Sequence, residues 1–195
     1  EEINASNLVK LDLDGTIVDD STGLGINYAG YVIHSAIHGA RHDLQAVLHT
    51  HTRDGIAVSA QKDGLLPISQ HSIAFSGRVA YHGYEGIALD LDERERLVAD
   101  LGDKSVMILR NHGLLTAGIS VEHAFQQLQG LERACNIQIA AQAAGNAELV
   151  FPPQEVVAKV EEQAKAHSSG EGPGVARHWN ALIRQLERSD TDYKN

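Results

Sequence analysis

His49-Thr50-His51 puts two imidazoles two residues apart, directly after the apolar run Ala46-Val47-Leu48. In a strand, residues i and i+2 face the same side, so the pair can converge on one divalent ion at about 2.0–2.1 Å from each nitrogen. The polar residues beyond, Thr52, Arg53 and Asp54, place the pair at a strand end, where open α/β sheets build their sites. His112 repeats the arrangement, because the run SVMIL at 105–109 leads into Arg110-Asn111-His112-Gly113. Three histidines from two strand ends leave coordination positions open, which is the catalytic rather than the closed structural arrangement. The single cysteine, Cys135, cannot close such a sphere with thiolates, and it reads as a small buried hydrophobe in a helical pattern. The competing reading of His49 and His51 is a pair of solvated strand-end imidazoles, and their spacing alone does not separate the two.

The other histidines carry less. His34 and His38 are spaced i, i+4 on a helical segment, with His42 one turn on, but no glutamate accompanies them as in HExxH. Packing at a helix end accounts for them equally well. His71 and His82 fall in expected loops that could reach the triad, and His123, His167 and His178 read as surface residues. A rival motif is VKLDLDGT at 9–16, which resembles haloacid-dehalogenase-like phosphatases, with Asp12 as nucleophile and Asp14 as general acid. That chemistry also needs a lysine and a downstream acidic pair at a strand end, which the sequence does not offer. The alternative is a hairpin with Asp-Gly at its turn.

The elements that must position these residues alternate between strand and helix. A hairpin is expected over 7–18. A helix follows over 28–39, a strand into His49, and a second helix over 54–61. Short strands are expected at 65–68 and 79–81. Asp92 and Gly102 delimit the next helix, and the buried strand at 105–109 follows it. Gly113 and Gly118 bracket LLTA as a loop, and Ser120 caps a long helix ending near Gly145. Pro152-Pro153 opens a C-terminal helical tail from about 152, in which 168–174 is a flexible loop and 176–188 a last amphipathic helix. Such alternation points to a layered α/β domain, and 195 residues suit one domain. With 43% hydrophobic and 5% aromatic residues the core should be aliphatic. The net charge of −10 and pI near 5.5 disfavour nucleic acid and anionic membranes. No apolar run approaches the roughly 18 residues that span a bilayer, and no signal peptide is evident, so a cytoplasmic location is expected.

The run GYVIHSAIHGARHDLQAVLHTHT at 30–52, followed by GLLPISQ, VAYHGYEG, ALDLDERERL and MILRNHGLLTAG at 107–118, resembles the class II aldolase/adducin family. The likeness extends over about residues 5–142, and the C-terminal HWNALIRQLERSDTDY resembles the tail of a bacterial adducin-like branch. It implies a three-layer α/β/α sandwich around a mixed, largely antiparallel sheet. It also implies a homotetramer with sites between subunits, and a divalent metal, zinc or sometimes manganese, on His49, His51 and His112. The implied activity is a carbon–carbon lyase acting on a small hydroxy-carbonyl or carboxylate substrate, by retro-aldol cleavage or decarboxylation through an enediolate. A non-catalytic assembly domain, as in adducin heads, is the alternative.

Two departures qualify the resemblance. Where the family's sugar-phosphate aldolases carry a proton-transferring glutamate, this chain has Gly30. His71, Glu85 and His34 are the candidate catalytic groups that remain by motif position. The family's N-terminal helix and first strands, with the loop that cradles a substrate phosphate, are expected before Ala5. Arg110, beside Asn111-His112, is a candidate partner for a substrate carboxylate.

Overall fold

The computed structural model describes residues 3–86, 91–145, 148–167, 170, 173–189 and 191–195. The hairpin strands β1 (Lys10–Leu11) and β2 (Ile17–Asp19) pair antiparallel as a small sheet of their own. They rest on α1 (Tyr28–Ala40), whose Tyr31 hydroxyl donates to the Leu13 carbonyl at 3.0 Å. The chain continues through β3 (Ala46–Thr50), α2 (Arg53–Ser59), α3 (Gln70–Ile73), β4 (Val79–His82), α4 (Glu93–Leu101) and β5 (Val106–Leu109). Then come β6 (Gly113–Gly118), α5 (Val121–Gln142), α6 (Gln154–His167) and α7 (Pro173–Ser189).

Four strands form the main sheet in the order β3-β6-β5-β4, antiparallel except for the parallel pair β4–β5. Successive strand residues point to opposite faces, and here both faces are covered. Val47, Ala80, Met107, Leu109, Leu115 and Ala117 pack toward α1 and α4. Val106, Ile108 and Leu114 pack toward α2, α3 and α5, meeting Val58, Phe75, Leu128 and Leu131. The result is the expected α/β/α sandwich with its mixed, mainly antiparallel sheet. Cys135 lies in the α5 layer, and burial pushes its thiol up to about 12, so it is an inert packing residue. Among the described residues, no helix is long and apolar enough to cross a membrane.

Of the elements that differ from expectation, two do so for a plain physical reason, while α3 stands where a loop was expected and β1 spans only Lys10–Leu11. LLTA with its flanking glycines is not a loop but β6, a central strand buried along its whole length. A strand covered on both faces loses the polar–apolar alternation that betrays strands elsewhere. Its glycines are there for close approach: a Cβ on Gly113 would run into the Thr50 carbonyl oxygen, and one on Gly118 into the Ala124 backbone nitrogen. Residues 65–68, by contrast, form no strand. Their donors are taken elsewhere: Leu65 N–H donates to the Tyr81 hydroxyl at 3.1 Å and Leu66 N–H to Gln138 Oε1 at 2.7 Å, Pro67 has no N–H, and Ile68 N–H donates to the Leu66 carbonyl. With those donors satisfied, no ladder partner is needed. Of the expected flexible loop at 168–174, residues 168–169 and 171–172 lie outside the described residues, and α7 begins at Pro173.

Gly113→Ala is therefore expected to force β3 from β6 and to cost about 1–3 kcal/mol, the range for overpacking a tight interior. Urea unfolding of the two proteins measures it; equal midpoints would mean that the strands do not depend on this close contact.

Candidate metal centre

The pairing of β3 with β6 builds the site. Thr50 lies opposite Leu114 and His49 opposite Leu115, so the end of β3 runs beside the turn that carries His112 into β6. Asn111, in that turn, has φ +55°, a left-handed conformation that asparagine tolerates better than most residues. This sharp turn brings His112 back over the strand end. The three imidazoles meet there. His49 Nε2 is 2.8 Å from His51 Nε2 and 3.2 Å from His112 Nε2. Among the described residues these three are the histidines, cysteines and acids whose ligand atoms gather closely enough to hold an ion.

The hydrogen bonding of His49 decides what those nitrogens are. Its Nδ1 lies 2.8 Å from the Leu114 carbonyl oxygen. A carbonyl only accepts, so Nδ1 carries the proton and Nε2 of the neutral ring presents its lone pair to the cluster. One in-plane lone pair cannot accept good hydrogen bonds from both His51 and His112. A shared cation, in contrast, takes one lone pair from each. Ligand nitrogens about 2.0–2.1 Å from a tetrahedral ion stand roughly 3.3 Å apart, close to the spacings found. The donor set fits a divalent metal.

Electrostatics keep the cluster in its ligand form. Burial, with the neighbouring His49, His51 and His82, lowers the His112 pKa from 6.5 to about 4. His49 is also lowered, mainly by burial and against the effect of its bond to Leu114. Behind the strand, Thr50 and Thr52 face the other way and are gripped by Glu132 of α5. Thr50 Oγ1 donates to Glu132 Oε1 at 2.9 Å, and Thr52 Oγ1 lies 2.6 and 2.7 Å from the two carboxylate oxygens. Glu132 thus holds the HTHT backbone while its alternate side chains bear the imidazoles. Nothing local marked it, since it lies 80 residues or more from its partners.

The triad opens into a cavity of about 370 Å³ whose walls include Asn27, Gly30, Ile33, Tyr84 and Asn111. Tyr84 stands edge-on to His112 with ring centroids 6.5 Å apart. The sequence reading passed over Tyr84 and Asn27. Tyr84 was findable, since it follows the end of β4, whose parallel neighbour β5 leads to His112. Gly30 lies in α1 with nothing within 4 Å of where its Cβ would stand, so the place of the usual glutamate is open space.

Other sequence candidates go elsewhere. His71 sits on α3, exposed, and lines a separate hollow against α6; within one subunit it does not reach the triad. Glu85 turns to α4, where Arg96 Nε donates to it at 2.8 Å. That ion pair holds its carboxyl below the ordinary range and leaves it a poor proton donor. His82 is not in a loop but ends β4, buried, with Nδ1 2.7 Å from Asp100 and Nε2 3.4 Å from Glu93. Arg110 donates to the Gln61 carbonyl at 2.6 Å and stacks over Tyr81, so it braces the fold rather than facing the cavity. Among the described residues His34 and His38 join no metal cluster, and burial with His49 and His38 lowers the His34 pKa to about 4. His123 is buried and His178 bonds Gln129; neither is a surface residue, while the His167 side chain lies outside the described atoms. Asp12 accepts from the Asp14 and Thr16 amides, closing the β1–β2 hairpin turn away from the main sheet. The phosphatase reading ends there.

The profile of the class II aldolase and adducin N-terminal domain matches residues 1–139. The chain belongs to the class II aldolase and adducin family. A Pseudomonas aeruginosa protein provisionally named an aldolase class 2 protein is 47% identical over 194 residues, covering 99% of this chain and 74% of that one. Alpha-adducin of Rattus norvegicus is 46% identical over 198 residues, but the chain spans only 26% of adducin's length. Among solved structures, an aldolase II superfamily protein from Pseudomonas syringae is 88% identical with a TM-score of 0.94, over 100% of this chain and 76% of that one. L-fuculose 1-phosphate aldolase from Glaciozyma antarctica is 27% identical with a TM-score of 0.78, over 100% and 73%.

Because His34 and His112 titrate near 4 when folded and near 6.5 otherwise, the unfolded chain binds more protons between those values. The sign follows from linkage: their contribution is complete above about 6.5 and is lost as pH falls toward about 4. The urea midpoint of metal-free protein should therefore drop across that window, and His34→Gln should flatten the drop. A midpoint indifferent to pH there would contradict the burial described.

Proposed function

We propose that the chain is the metal-binding core of a divalent-metal-dependent carbon–carbon lyase of the class II aldolase type. One observation carries this reading: the Nε2 atoms of three imidazoles converge at an open cavity, with the His49 tautomer set by Leu114. Such nitrogens suit zinc, with manganese or a related ion as the variant. When bound, the ion supplies a Lewis acid that polarises a substrate carbonyl or carboxylate oxygen. The protein's part is to hold three imidazoles rigidly and to present a cavity with few ionisable walls. Open space at Gly30 favours a substrate bulkier beside the metal than a sugar phosphate, and decarboxylation, which needs no base at carbon, tolerates the missing carboxylate better than retro-aldol cleavage. His71 enters this reading as a proton donor to a neighbouring subunit's cavity, in a homotetramer with sites between subunits.

The likeness to alpha-adducin over this same region supports a second reading, a non-catalytic assembly domain. Gly30 favours it; the preserved triad geometry does not, since an idle site loses little by losing a ligand.

Purified protein should carry one zinc or manganese per subunit by elemental analysis. Replacing His49, His51 or His112 with alanine should abolish retention, whereas His42→Ala should not. Protein that holds no metal and regains none on adding zinc or manganese would defeat the proposal.

Gly30 is tested in the full-length protein by a paired assay of wild type and Gly30→Glu, a change the open space accommodates. Wild type should turn over sugar phosphates such as fuculose or rhamnulose phosphate poorly, hydroxy- or keto-carboxylates better, and Gly30→Glu should gain on the former. Cleavage of sugar phosphates by wild type at about 10 per second, typical of enzymes, would show that the glutamate is dispensable. Metal retention without turnover of either class would favour the assembly reading.

A further inference from the structure

A second cavity, of about 240 Å³, lies between α3, α5 and α6 and shares no lining residue with the triad cavity. Arg78 points its guanidinium into it beside the Phe75 ring, 5.7 Å from the ring centroid. Nη1 donates to the Ala74 carbonyl and Nη2 to Gln127 Oε1, both at 3.2 Å. The guanidinium carries five N–H donors, so part of the fork has no acceptor among the described residues. Nor does any described carboxylate pair with it: the arginines in ion pairs are Arg41, Arg53 and Arg96. In a protein of net charge −10, a half-buried cation with no ion-pair partner among the described residues is out of keeping with its surroundings. Burying a charge without a partner is costly, and burial alone lowers the Arg78 pKa.

The walls are set rather than collapsible. Gln127 cannot swing away, because its Oε1 also accepts from Ser105 Oγ at 3.1 Å and its Nε2 donates to the Ala117 carbonyl at 2.7 Å. Phe75, Ala74 and Ala164 supply the apolar wall, Gln126 adds a polar edge, and buried His123 closes the end. A guanidinium fork above an aromatic ring in a small, partly apolar cavity matches a carboxylate on a flat or short apolar body. It suits a dianion less well, since there is one cation and Glu161 passes beside Gly77.

We propose that this cavity is a binding site for a small organic monocarboxylate, anchored by Arg78 and separate from the metal centre. The proposal stands whatever reaction the metal centre performs. Its test is titration of the protein with sodium benzoate, with butyrate and with inorganic phosphate at constant ionic strength, following the Gln127 side-chain amide and Phe75 ring by NMR. Benzoate and butyrate should bind saturably, phosphate more weakly. Arg78→Met should weaken the carboxylates by about tenfold or more, as loss of a charge-assisted pair does. Ala164→Phe, which fills the cavity and leaves Arg78 in place, should do the same, and His112→Ala should change nothing. Absence of saturable binding by wild type, retention of affinity in Arg78→Met or Ala164→Phe, or its loss in His112→Ala would each overturn the proposal.

Discussion

Pairing Thr50 with Leu114 across β3 and β6 determines where every imidazole of the centre can stand. His49 and His51 share the face of β3 that looks onto the turn into β6, and the Leu114 carbonyl that fills the next position takes the His49 Nδ1 proton. A slip of one residue would turn both histidines to the opposite face and put Thr50 and Thr52 in their place. The absence of a side chain at Gly113 allows this register at this distance. Glu132 makes the alternative unfavourable from behind, since the two threonine hydroxyls it binds would otherwise be left without that acceptor.

The surrounding layers serve the same end. Both faces of β5 and β6 are buried, against α1 and α4 on one side and α2, α3 and α5 on the other. Two packed faces leave the strands little freedom to shift, so the nitrogens are held without large mobile loops. Burial also lowers the pKa of His49 and His112, which keeps them neutral in a protein whose overall charge would favour protonation. Rigidity, tautomer and protonation state thus come from one packing arrangement.

Catalysis and assembly make different demands on this scaffold. Metal chemistry needs the triad and an open cavity beside it, and both are present. A proton carrier within that cavity is harder to find: Gly30 is bare, Glu85 is bound to Arg96 and His71 faces another hollow. The family includes both aldolases and adducins on this domain.

Much of this was legible in the chain itself. The i, i+2 histidines after an apolar run, and His112 after another, pointed to the three imidazoles that cluster because strand periodicity is local. The capped helix after Ser120 and the hairpin at Gly15 were legible for the same reason: each depends on residues within a few positions. Tertiary structure alone decided the rest. LLTA became a central strand because two faces were available to bury it, and 65–68 did not because Tyr81 and Gln138 took its amides. Glu132, Tyr84 and the destinations of His71, His82 and Glu85 depend on side chains brought together from distant elements. Sequence spacing encodes what a segment presents, and only packing decides what it faces.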